Sequence, residues 1–66
     1  MIGTIGHYDA ETQKGYIIDR YKQRYNFSRS DYRSQNDVII GAIVDFQIVG
    51  DFAKEIMITT SASSNL

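Results

Sequence analysis

The sequence predicts an all-β domain of five short strands closed into a small barrel. β-Branched and aromatic residues recur at period two, while no window shows a convincing helical stripe. Polar and glycine-containing clusters cut the chain into five such runs. With 66 residues, the chain is too short for two full stacked sheets. One sheet that closes on itself shelters both edges and one core. A chain of this length buries only ~60% of its unfolded surface, so few side chains carry that core.

The first run is "IGTIGHY", with Ile5 on its apolar side. The polar turn "DAETQ" leads into the second, "KGYIID". In the third, "RYNFS", alternation places Tyr25 and Phe27 inward and Arg24, Asn26 and Ser28 outward. The fourth, "AIVDFQIV", alternates Val44, Phe46 and Ile48 against Asp45 and Gln47. The fifth, "AKEIMIT", directs Ile56 and Ile58 inward and Met57 outward. Gly41 and Gly50 bound the fourth strand, where tight turns favour a residue without Cβ. Between strands three and four, "RSDYRSQND" is too polar for a strand. There Ser28 or Ser30 caps a single helical turn and Tyr32 anchors it to the barrel. The domain is expected over residues 1–60, with 61–66 a flexible polar tail.

The absence of cysteine excludes disulfides and thiolate-bound zinc. The apolar runs are far shorter than the roughly 20 residues of a membrane span. No basic segment precedes an apolar one at the start, so a cytoplasmic, bacterial-type protein is expected. His7 is the only histidine, and without a carboxylate cluster it makes a poor metal site. No metal, cofactor or catalytic residue is expected. Asp9, Glu11, Asp45 and Asp51 read as solvated turn carboxylates with no nucleophile or phosphate-cradling loop beside them.

Net charge is −1, which argues against indiscriminate polyanion binding. Its distribution says more. Residues 20–33 set five cations against Asp31 alone, a local net of +4, and interleave four aromatic rings with them. The cations Arg20, Lys22, Arg24, Arg29 and Arg33 form either a phosphate-tracking rim or a solubilising edge.

The order of these signals resembles the cold-shock domain, a five-stranded antiparallel OB-fold barrel, over nearly the whole chain. "GTIGHYDAE" looks like the family's opening G-x-V-K-W-F-N-x-E, and "TQKGYI" sits on K-G-F-G-F-I. "RYNFSR" stands where the family has D-V-F-V-H-F, and "VIIGAIVDFQIV" is similar to L-x-x-G-x-x-V-x-F-x-V. "GDFAKEIMI" resembles the closing G-x-x-A-x-N-V. Gly3, Gly15, Gly41, Val44, Phe46 and Ala53 all fall in register. The resemblance implies single-strand nucleic-acid binding on the outer face of strands one to three. On that face this sequence departs from the family. His7 replaces a tryptophan, Lys14 and Tyr16 two phenylalanines, Asn26 a third, Ser28 a histidine and Arg29 the last phenylalanine. Base–aromatic stacking is worth ~1–3 kcal/mol per base, so losing most of these rings weakens binding by several kcal/mol. Lys14 and Arg29 offset this in part, through phosphate contacts or guanidinium stacking.

The expected nucleic-acid face is therefore His7, Lys14, Tyr16, Lys22, Arg24, Asn26 and Arg29. His7 and Tyr16 would stack bases, the four cations engage phosphates, and Asn26 bond a base edge or sugar. Tyr16 is equally a cross-strand packing partner of His7 or Asn26. A rival expectation is a protein-interaction or homodimerising module. Ile39 and Ile40, in "NDVIIG", lack an obvious burial partner and Met57 extends such a patch, unless the loop folds back over them.

Overall fold

Apolar side chains alternating along five strands have one economical way to leave water, and the chain takes it. The computed structural model describes residues 1–59, so the tail expected at 61–66 lies outside the described residues. The strands are β1 (Ile2–Asp9), β2 (Lys14–Asp19), β3 (Arg24–Ser28), β4 (Ile43–Val49) and β5 (Phe52–Ile58). They form a closed barrel in the order β1-β2-β3-β5-β4. Ile5, Ile17, Phe27, Val44, Phe46, Ala53 and Ile56 fill it, and each is buried. This small all-β barrel is compatible with an OB-fold. Among the described residues, no helix is long and apolar enough to cross a membrane.

The expectation of a purely antiparallel barrel is corrected. β1 pairs antiparallel with β2 and β4, β2 with β3, and β4 with β5, whereas β3 and β5 run parallel through the pair Asn26–Phe52. Strand directions can alternate around a ring only when the number of strands is even. Five strands leave one like-directed pair.

Two bulges interrupt the period-two pattern. On β1 the register shifts between Ile5 and His7, which pair with the consecutive residues Ile17 and Tyr16. The extra residue, Gly6, turns His7 outward and lets Tyr8 reach the core, where its ring stacks on Phe27 at 6.0 Å. On β5, Lys54 pairs with Gln47 and Met57 with Asp45, and Glu55 between them has φ of 53°. Ala53 and Ile56 are thereby both inward despite their spacing of three.

A second correction concerns β4. Val44 and Phe46 are buried, but Ile48 is 39% exposed. It pairs with the buried Ala53 and so has inward parity, yet it stays partly open to solvent. The expected helical turn is present as a 3₁₀ turn, Arg29–Asp31, with Ser28 at its N-cap. The Ser28 N–H donates to Asp31 Oδ2 at 3.1 Å. Tyr32 then enters the core, bridging in parallel to Ile56, and the Arg33 N–H donates to the Ile56 carbonyl at 2.8 Å.

Gly15 allows a close approach of β1 and β2. A Cβ built on it would overlap the His7 carbonyl oxygen and lie 2.9 Å from Tyr8 Cα, both main-chain atoms of β1. Gly15→Ala must therefore push β1 off β2, at a cost of about 2–3 kcal/mol. Urea unfolding of that variant is expected to show a clearly lowered midpoint; an unchanged midpoint would contradict the packing described.

Candidate nucleic-acid interface

Antiparallel pairing stacks the outward residues of β1, β2 and β3 in rows. One row is Thr4–Ile18–Arg24, the next His7–Tyr16–Asn26, and the third Asp9–Lys14–Ser28. Five of the seven residues expected on the face, His7, Lys14, Tyr16, Arg24 and Asn26, fall within this grid.

Tyr16 is its centre. Its ring lies over Gly6, where a Cβ would come within 2.7 Å of it. His7 stacks against it with ring centroids 5.7 Å apart and planes 28° apart. From the β3 side the Arg24 guanidinium lies 4.7 Å from the ring centroid. The half-buried Tyr16 is thus flanked by an imidazole on one strand and a guanidinium on the other. Of the two alternatives left open by the sequence, cross-strand packing is the one observed, with His7 as the partner, and it forms a planar, cationic ladder.

The cations divide by what already engages them. Arg33 Nε lies 3.5 Å from Glu55, and Lys54 Nζ lies 3.3 Å from Asp31. Asp31 therefore neutralises a lysine outside the basic segment. Lys14, Lys22 and Arg24 are exposed and form no ion pair among the described residues. Lys14 and Arg24 stand two rows apart, with about 13 Å of strand between their rows. A single phosphate cannot serve both.

Arg29 is placed differently from the other expected contacts. Its guanidinium donates to the carbonyls of Tyr32 at 3.2 Å, Ser34 at 3.0 Å and Asn36 at 3.3 Å, and it lies 5.0 Å from the Tyr32 ring centroid. Its N–H donates to the Gln13 carbonyl at 2.8 Å. These bonds tie down the 29–36 segment, and the structure does not bring its charge to the grid. Lys22 lies beyond the Arg24 end, in the turn after β2, with φ of 69°.

Asp19 fixes that turn. Its Oδ1 accepts from the N–H groups of Tyr21 at 2.8 Å and Gln23 at 3.0 Å, and its Oδ2 accepts the Tyr25 hydroxyl at 3.2 Å. Burial disfavours the charged carboxylate, but the Gln23, Tyr21 and Tyr25 donors outweigh it and hold the pKa below its ordinary 3.8. The same burial and the nearby carboxylate push the Tyr25 hydroxyl up.

The residue that period-two reading overlooked is Phe52. It is 52% exposed, is the Cα partner of Asn26 and extends the His7–Tyr16–Asn26 row onto a fourth strand. A cleft of about 270 Å³ beside it is lined by Lys14, Gly15, Asn26, Phe27, Ser28 and Phe52. Its outward parity opposite Ala53 was readable, but its neighbourhood with Asn26 was not, because that depends on the parallel closure.

The residues of the rival surface are open. Ile39 is 59%, Ile40 60% and Met57 57% exposed. The loop does not cover the two isoleucines: the turn is drawn toward β1 by the Gly41 N–H donating to the Ile5 carbonyl. Met57 pairs with Asp45, whose other neighbour is Ile2, so it shares the outer β1–β4–β5 face with Ile2 and Ile43.

Compared with models of known protein families and with curated proteins, the chain matches none.

A group whose folded pKa is lowered stabilises the fold above its unfolded value, and that contribution is lost as pH falls through the folded value. The stabilisation that Asp19 supplies should therefore be present in full and constant around neutral pH, and be lost as pH drops below 3.8. Asp19→Asn is expected to lower the neutral-pH midpoint and flatten the acid loss. Parallel pH profiles for the two proteins would contradict this role.

Proposed function

We propose that this barrel is a divergent cold-shock-like OB-fold module that binds single-stranded nucleic acid weakly, through phosphate contacts and limited stacking. The observation that carries the reading is the ladder of His7, Tyr16 and Arg24 on the outward grid of β1–β3. On a chain of net charge −1, it concentrates planar groups and unpaired cations on one face. Lys14 and Arg24 stand far enough apart to engage separate phosphates of one strand, Lys22 extends the track, and Asn26 offers an amide donor and acceptor to a base edge or sugar. A duplex presents stacked, paired bases and gives this face only its backbone, so single strands are the better fit. The module acts by binding rather than catalysis, in the cytoplasm.

Binding carried by Lys14, Lys22 and Arg24 should release about three counterions' worth of condensed charge. Titration of a short labelled oligonucleotide is expected to give a log–log salt slope near −2, at about −0.7 per phosphate contact. Lys14→Gln or Arg24→Gln should each reduce the slope by about one contact. The absence of any signal on β1–β3 at low salt would end this reading.

A second reading is favoured by one observation, the exposure of Ile39, Ile40 and Met57. Here the barrel is a homodimerising or protein-binding module. Sedimentation should then show self-association that an Ile39→Lys, Ile40→Glu double variant abolishes. A monomer in both proteins, with no partner lost, counts against it.

A further inference from the structure

The outward row that begins at His7 does not stop at β3. Asn26 is paired with Phe52, and this is the one ladder position that joins β3 to β5. A continuous sheet would carry further rungs there. Instead the wall opens beside that pair into the cleft described above, with the buried Phe27 among its lining residues. Phe52, Asn26 and Lys14 supply an aromatic ring, an amide and an ammonium group to its lining.

The two aromatic residues of the row differ in availability. Tyr16 is half-buried and already flanked by His7 and the Arg24 guanidinium, so a base stacking on it competes with groups in place. Phe52 is more than half exposed, and the nearest cation to its ring, Lys54 Nζ, stands off at 5.9 Å from the centroid. Lys54 is moreover tied to Asp31. Among the lining residues, Lys14 is the remaining cation, and no ion pair holds it among the described residues.

We propose that this cleft at the β3–β5 seam is a nucleotide subsite and that Phe52, rather than Tyr16, is the principal stacking ring. One unpaired base of a single strand lies on the Phe52 ring. The Asn26 side-chain amide hydrogen-bonds the edge of that base, and Lys14 takes the adjoining phosphate. An amide presents both a donor and an acceptor, so the subsite takes purines and pyrimidines alike. The stacking surface that β1–β3 mostly lacks is supplied from β5. This inference rests on the single-strand reading above and assigns the strand a position on it.

The test uses fluorescein-labelled hexathymidylate and an abasic hexamer of the same length and charge, titrated at low salt with wild type and Phe52→Leu. Wild type is expected to prefer the base-bearing strand. Phe52→Leu should weaken that strand roughly five-fold or more, toward the abasic level, and leave abasic binding unchanged. Because Phe52 is exposed, the variant should unfold near the wild-type midpoint. Independently of any variant, the Phe52 ring protons and the Asn26 side-chain amide of wild type should shift with hexathymidylate and not with the abasic strand. Binding of hexathymidylate that is equal in wild type and Phe52→Leu, with no shift at those groups, would overturn the subsite while leaving the single-strand reading intact. If wild type binds neither strand, that reading fails and takes the subsite with it.

Discussion

An odd number of strands cannot alternate in direction around a closed ring, and most of what distinguishes this barrel follows from that constraint. The like-directed pair falls between β3 and β5, where a single ladder position joins them. Further along the same boundary the chain uses other means: Tyr32 bridges to Ile56, and the Arg33 N–H reaches the Ile56 carbonyl. The 29–36 segment works as a patch over the part of the wall that β3 is too short to cover. Arg29 holds that patch together with three carbonyls.

Inside and outside are kept apart by two irregularities. The Gly6 bulge puts His7 on the wet side of β1 and Tyr8 on the dry side, and the Glu55 bulge brings Ile56 back to the core after Ala53. Without the first, the imidazole would face Ile5 and the Tyr16 ring would have no stacking partner on β1. Gly6 has a second effect, since the space where its Cβ would stand is where Tyr16 and Ile18 lie. One missing side chain thus orients two neighbours.

Much of this was legible beforehand, and the failures have identifiable physics. β2 and β3 match the expected "KGYIID" and "RYNFS" residue for residue, because both are regular and their alternation is unbroken. The inward places of Phe27, Val44, Phe46 and Ile56 follow from the same period. Strict period two misplaces His7, which the family resemblance put on the correct side, since a resemblance carries its bulges silently. Parity also tells which way Ile48 points but not whether anything covers it. Phe52 and Arg29 escape local pattern for different reasons. The neighbourhood of Phe52 is set by non-local closure, which links residues 26 and 52. The Arg29 guanidinium instead turns to the nearby carbonyls of Tyr32, Ser34 and Asn36, in an irregular segment that has no periodicity to read.

A wall fastened by a single rung also has mechanical consequences. Opening β3 from β5 sacrifices fewer ladder bonds than opening the long ladders of β1–β2 or β4–β5, and what resists it beyond Asn26–Phe52 is the link of Tyr32 and Arg33 to Ile56. Whatever settles against Asn26 and Phe52 acts as a clasp across the gap, and its affinity includes the freedom that the seam gives up when it is fastened.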